Sequence, residues 1–422
     1  MKKIFEESKI VFWSVFRWVF ISMGIGFIVG ISVGLFLSLL KVTSKIFQNN
    51  LLYLLLPFIL LINKYIEIKF LDINEGHGTD KIIDSIHKKN GKIDIVKLPI
   101  DIITTILTIS FGGSVGKESP SAQIGGSISS FIGQKFRFKE DDLKKIVICG
   151  IGAGFSAVFG TPIAGAIFGI EVLFIGKLLY DVLLPSFVSS IVSVLVVKLF
   201  FNIENLLNIV KIDFPEFSFY FLFVSIVAGI FFGLTSYFYI FINNIFKKIS
   251  KKLENFYFYA FVAGSILVFI YRFISKDFGG IGMEVVKESL KGKEYPLYYP
   301  LIKIITTSLT LNFGGNGGLI NPIFFIGTTF GNFLSILFTK IDVQIFAILG
   351  LVSFLAGTTN TPISSSLLAV ELAGSSLAPY ASISCIISFL ITGHNSIYSS
   401  QVIAMKKIDK LEGKIGEQVK GI

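Results

Sequence analysis

The sequence is poor in charge, in cysteine and in histidine. Only 16% of its 422 residues are charged, against about 25% in a typical soluble domain. With so little charge it is not a disordered chain, a coiled coil or an ordinary cytosolic enzyme. Two cysteines, Cys149 and Cys385, cannot build a disulfide framework, and both lie in apolar stretches that suit buried thiols. Three histidines, with no HxxxH or CxxC spacing, offer no metal site. Neither a metal nor another cofactor is expected. An intramembrane enzyme would need a nucleophile–base pair or clustered metal ligands, and such groups are too scattered here for an enzyme to be expected.

Apolar residues fill the space that charge leaves. Hydrophobic residues make up 53% of the chain, with 45 Phe, 40 Gly and a mean hydropathy of +0.76. At about 20 apolar residues per crossing, there is material for roughly ten spans and no room for a large soluble domain. An all-α, multi-pass membrane protein is expected. The net charge of +10 then reads as cytoplasmic loops and contact with anionic membrane lipid, not as nucleic-acid binding.

Apolar stretches run near 10–40, 51–62, 96–111, 120–135, 145–175, 182–201, 218–246, 256–274, 298–312, 318–338, 344–372 and 378–393. The first is too long for a signal-peptide core and is kept as a span. Several others are shorter than a crossing, and many carry Gly or Pro within them. That pattern predicts helices that stop inside the bilayer, where broken backbone must line a cavity or be buried. A helix is predicted to begin at Thr79 or Asp80. Lys2 and Lys3, the basic loop Lys247, Lys248, Lys251 and Lys252, and a tail with Lys406, Lys407, Lys410, Lys414 and Lys420 put both termini in the cytoplasm.

An internal repeat links the halves. Residues 160–172, GTPIAGAIFGIEV, lie over residues 360–372, NTPISSSLLAVEL, at a separation of 200 positions. Phe111-Gly112-Gly113, Pro120 and Ile124-Gly125 lie over Phe313-Gly314-Gly315, Pro322 and Ile326-Gly327, at a separation of 202. Two motifs repeated in the same order point to duplication, which in transporters places the substrate site at the repeat interface. The halves run over about 15–201 and 215–405 of a membrane domain spanning 1–405, followed by a short tail at 406–422.

The glycine-rich segments hold the candidate site. Gly112 to Pro120 reads GGSVGKESP. Its glycines let backbone approach a ligand, and a helix starting near Pro120 aims free N–H groups and a positive dipole end forward. Glu118 stands at the mouth of this anion site, where protonation or displacement would open the path. Gly317-Gly318-Leu319-Ile320-Asn321-Pro322 is the repeat mate without the acid. Gly76-His77-Gly78-Thr79-Asp80 offers another helix start. Tyr398 follows the last span. Glu171 and Glu371 each end a repeat segment and are expected to be structural.

These motifs resemble those of the CLC family of chloride channels and proton-coupled chloride transporters. GKESP at 116–120 is similar to its G(K/R)EGP motif, with Ser119 at a glycine. GGLINP at 317–322 is similar to GxFxP, with Ile320 at the usual Phe. GHGTD at 76–80 is similar to GSGIP, with His77 at the serine and Asp80 at the proline. IYSS at 397–400 resembles the tyrosine motif. The resemblance spans about residues 15–405. It implies an inverted repeat of tilted and broken helices, with helix N-termini meeting at a central anion site. It implies also a homodimer with one pore per subunit in the bacterial inner (plasma) membrane, without a C-terminal regulatory domain. By motif, Glu118 is the gating glutamate, and His77 and Tyr398 flank the anion. Gly318, Leu319 and Ile320 supply backbone N–H groups, Gly116 joins the anion-binding set, and Lys117 and Asn321 line the pore. Chloride is the expected anion, moved through a voltage-gated channel or by proton-coupled exchange. Val172 stands where the transporters carry an inner proton-relay glutamate. The family's fluoride/proton branch also lacks that acid and departs from the serine motif, so fluoride is the alternative.

Overall fold

The computed structural model describes residues 2–49, 51–70, 78–203 and 218–419. The first half of the chain forms α1 (Lys2–Asn49), α2 (Leu56–Phe70), α3 (Thr79–Lys88), α4 (Leu98–Ser110), α5 (Glu118–Lys135), α6 (Glu140–Phe159), α7 (Pro162–Glu171) and α8 (Leu183–Phe201). The second half forms α9 (Phe219–Lys252), α10 (Phe256–Phe273), α11 (Met283–Leu290), α12 (Tyr298–Asn312), α13 (Ile320–Ser335), α14 (Val343–Thr359), α15 (Pro362–Ala373) and α16 (Ala378–Ile391). Five helical segments among the described residues are long and apolar enough to cross a membrane. α5 and α6 match the shortest of these in length but are less apolar or more charged, and the remaining helices are shorter, as the interrupted apolar stretches predicted. The first apolar stretch extends at both ends into a 48-residue helix.

Two long apolar stretches break where the chain changes hand. Gly160 ends α6 in the left-handed region at φ 75°, and Pro162 starts α7. Asn360 ends α14 at φ 58°, and Pro362 starts α15. A left-handed residue closes a helix and proline suits the first turn of the next.

The packing repeats with the sequence. α1 lies on α8 as α9 lies on α16, and α5 lies on α6 as α13 lies on α14. Glycine sets the closeness of the last two crossings. A Cβ on Gly125 would fall 2.0 Å from the Gly150 carbonyl oxygen, and one on Gly327 would fall 2.4 Å from that of Gly350. Backbone touches backbone there, as small residues allow between apolar helices.

The halves are joined by contacts that equivalent residues exchange. Glu171 accepts from Ile363 N at 3.0 Å and Ser364 N at 2.8 Å, while Glu371 accepts from Ile163 N and Ala164 N, each at 2.9 Å. Each carboxylate thus sits at the positive end of the other repeat's helix, and both glutamates are structural as expected. Thr108 Oγ1 accepts from Asn316 N at 3.0 Å, and Thr310 Oγ1 accepts from Ser114 N at 3.1 Å. Reciprocal pairs of this kind define a two-fold axis, here internal to one chain.

Residues 406–419 do not form a free tail. The strand β1 (Phe174–Ile175) pairs in parallel with β2 (Val402–Ile403), and Gln418 returns to bridge Val402. Cys149 and Cys385 are buried free thiols. Exposed Phe12, Trp13, Phe20, Phe219 and Phe223 give the outer helices an apolar face.

Candidate anion site

The site forms where the two-fold brings the glycine-rich segments together. Gly112 and Gly314 turn the chain at φ 95° and 97°, a conformation that costs glycine little. Gly116 N donates to the Gly318 carbonyl and Gly318 N donates to that of Gly116, both at 2.7 Å. α5 and α13 begin two residues beyond this bridge, so their N-termini face one another and the helices leave in opposite senses.

Glu118 occupies the junction. Its side chain is buried, and Oε1 accepts from Ile320 N at the start of α13. Oε2 has no hydrogen-bond partner among the described residues. A Cβ on Gly116 would lie 2.1 Å from Oε2, and one on Gly318 would lie 2.1 Å from Oε1. The carboxylate therefore fills a niche that exists because two side chains are missing. This corrects the expectation for Gly116 and Gly318. Their N–H groups are spent on each other, and what they supply is space. Ile320 presents its N–H to the Glu118 carboxylate.

Asn321, expected to line the pore, lies at the start of α13. It is fully buried, its Oδ1 accepts from Lys117 N at 3.2 Å, and its Nδ2 lies 2.8 Å from Met283 Sδ at the start of α11. It ties the start of α13 to that of α5. The backbone of Lys117 enters this tie, and the Lys117 side chain lies in the field of Glu118 and Lys287.

A cavity of about 960 Å³ reaches the site. Ser119, Gly317, Leu319 and Tyr398 line it, as do Lys64, Lys88, Lys247 and Lys251. Tyr398 is buried, its hydroxyl lacks a hydrogen-bond partner among the described residues, and it lies in the field of Glu118. His77 falls outside the described residues. Its neighbour Gly78 packs on Ser119, and Thr79 Oγ1 donates to Ser119 Oγ at 3.1 Å, so the start of α3 does reach the site.

Some residues near the site escaped the sequence reading. The Asp80 carboxylate, at the start of α3, accepts from Ser399 Oγ at 3.0 Å and Ser400 N at 2.8 Å, a tie that no local pattern announces. Gln401 Nε2 donates to the carbonyls of Val172 and Thr359, each at 2.8 Å. Asp101 and Lys303 are buried at equivalent positions of α4 and α12. Asp101 accepts from Lys81, Gln123 and Asn316, whereas Lys303 Nζ donates to the carbonyls of Phe278 at 3.2 Å and Gly280 at 3.3 Å. Ile102-Ile103-Thr104-Thr105 over Ile304-Ile305-Thr306-Thr307, again 202 positions apart, is the signal that would have paired them.

The chemistry available is electrostatic. Helix starts attract an anion through free N–H groups and the dipole. A carboxylate already there competes for the same seat. Protonated, Glu118 loses its attraction to that seat, and an anion can take it.

A family model described as "Voltage gated chloride channel" matches residues 58–393. A "Chloride/fluoride channel protein" of Pseudomonas syringae pv. tomato is 33% identical over 338 residues, covering 78% of this chain and 74% of the relative. An "H(+)/Cl(-) exchange transporter ClcA" of Vibrio cholerae serotype O1 is 25% identical over 335 residues, 75% of this chain and 71% of the relative. Among solved structures, that of a CLC-type fluoride/proton antiporter superposes with a TM-score of 0.86 at 25% identity, covering 92% of this chain and 98% of its own. That of a slow cyanobacterial Cl−/H+ antiporter gives 0.77 at 19% identity, over 89% and 94%.

Proposed function

The chain belongs to the CLC family of voltage-gated chloride channels and transporters, and from that membership we propose that it exchanges a small halide for protons, with Glu118 carrying the proton. It is a multi-pass membrane protein of anion transport. The observation that carries the exchange is the Glu118 carboxylate seated in the Gly116–Gly318 niche, on the Ile320 N–H. The seat holds either a carboxylate or an anion, and protonation decides which. Anion movement and proton movement are thereby coupled without the inner acid that Val172 replaces.

Fluoride is the favoured anion. Two similar proteins carry fluoride in their names, and the one whose structure aligns over 92% of this chain is a fluoride/proton antiporter. Chloride is the second reading, supported by the exchanger relatives. In this proposal Tyr398 and Leu319 flank the anion on the cavity side, with His77 at the adjoining helix start. Lys117 contributes positive field, and Asn321 holds the two helix starts in register. The cavity is the cytoplasmic vestibule, which the lysines around it support through the positive-inside rule. Both termini then lie in the cytoplasm, the protein sits in the plasma membrane, and family resemblance implies a homodimer.

Purified protein in liposomes under matched fluoride and chloride gradients tests this. Fluoride efflux is expected to exceed chloride efflux and to drive protons inward. Glu118→Gln is expected to abolish proton movement. Chloride flux above fluoride flux moves the anion to the second reading, and unchanged coupling in Glu118→Gln removes the role of Glu118.

A further inference from the structure

We propose that Asp80 is a positioning residue for Tyr398, and that it sets how tightly the inner end of the anion site closes. This inference rests on the anion-site reading above. Tyr398 follows α16 in irregular backbone and has no helix of its own to fix it. Its hydroxyl lies beside the Thr79 and Ser119 side chains but completes no well-aligned hydrogen bond among the described residues, so the position of its backbone decides where the ring sits. Ile397 N, just before it, donates to the Thr358 carbonyl of α14 at 3.0 Å, and its own segment adds a short set of bonds. Tyr398 N donates to Ser396 Oγ at 3.0 Å, and Ser396 Oγ donates to Gln401 Oε1 at 2.6 Å. Those bonds shape the loop internally. Gln401 ties the far end of the loop to α14 and to Val172.

Asp80 ties the loop to the site itself. One carboxylate oxygen accepts Ser400 N at 2.8 Å and the other accepts Ser399 Oγ at 3.0 Å, immediately after Tyr398. The neighbouring Thr79 donates to Ser119, the residue after Glu118. Two adjacent residues at the start of α3 therefore hold the two walls of the inner opening, one through Ser119 and one through Ser399 and Ser400. A carboxylate is the side chain that accepts from two donors at once, and bonds to a charged acceptor are the stronger kind. A proline here, as in the family motif that this segment resembles, could make neither bond. Lys247 Nζ also reaches Ser399 Oγ, at 3.4 Å, and holds the loop from α9, but it touches neither Tyr398 nor Ser119 in the described contacts.

The test uses the full chain with Asp80→Ala and Asp80→Asn. Hydrogen exchange on purified protein is expected to quicken about tenfold over residues 396–401 in Asp80→Ala, and less in Asp80→Asn, which keeps one acceptor oxygen. Exchange across α7 is expected to stay unchanged. In liposomes, both variants are expected to move fewer protons per anion than the parent. Tyr398→Ala is expected to lower the ratio likewise, with Asp80→Ala causing no further change in that background. Unchanged exchange over 396–401 overturns the proposal, whatever the flux. So does an Asp80→Ala effect on coupling that persists in full without Tyr398. A parent protein that moves no protons would sink the transport reading, and the exchange result would still judge the Asp80 bond. If Asp80→Ala does not fold, Asp80→Asn carries both measurements.

Discussion

A methyl group on Gly318 would fall 2.1 Å from Glu118 Oε1 and 2.9 Å from Ser119 N. Ser119 N is backbone and holds its place, whereas Glu118 Oε1 ends a flexible side chain, so the carboxylate is what has to leave the niche. Gly318→Ala is therefore expected to lose proton coupling while the protein still folds, with about tenfold less anion flux because the methyl also takes the seat. Flux and pH recorded together check this, and normal coupling would show that the niche is not where Glu118 acts. In the proposed exchange, coupling depends on two atoms that the sequence leaves out. Gly116 and Gly318 were legible as important, but their part was misread. Free N–H groups are what isolated glycine-rich helix starts suggest. The bridge that consumes those groups arises only when the two repeats dock, and no local pattern encodes docking.

Short helices buried in a membrane protein must satisfy their ends from elsewhere. The α7 and α15 starts take carboxylates from the opposite repeat. Removing Glu171 leaves the N–H groups of Ile363 and Ser364 buried without partners. Glu171→Ala is expected to destabilise the protein by about 3 kcal/mol, read as a lower melting temperature in detergent. Glu371→Ala is expected to cost less, because Glu371 is partly exposed whereas Glu171 is buried. Equal effects would mean that water does not reach the Glu371 end. The α5–α6 and α13–α14 crossings admit no such gradation. Gly150→Val is expected to abolish folding, since even a Cβ there would lie 2.2 Å from the Gly125 carbonyl oxygen. Breaks at Gly160–Pro162 and Asn360–Pro362 were only partly visible in the sequence, because continuous hydropathy hides a helix end that left-handed backbone creates.

Across the whole molecule, the duplication was the most legible feature, since offsets of 200 and 202 survive in short strings. The clamps that cross between distant segments were not legible, because Asp80 meets Ser400 only in the folded chain. The returning C-terminal segment was missed for the same reason. Gln418 Nε2 donates to Asp84 Oδ1 at 2.9 Å, beside the vestibule. Partial burial pushes the Asp84 carboxyl up, but hydrogen bonds from Lys88 and Gln418 outweigh it and hold the group below its ordinary value. A lowered value means that the contact is fully present above the ordinary carboxylate range and is lost as pH falls through the lowered one. Docking of residues 417–419 is therefore expected to be constant from about pH 8 to about pH 5 and to loosen only in stronger acid. Hydrogen exchange of that segment across the range checks it. The central claim is that one seat serves carboxylate and anion in turn. The most direct measurement loads liposomes with fluoride, sets equal pH on both sides, and follows internal pH as fluoride leaves. The internal pH is expected to fall with the parent protein, as outward fluoride pulls protons inward, and to stay level with Glu118→Gln. Fluoride that leaves the parent liposomes with no change in pH would contradict it.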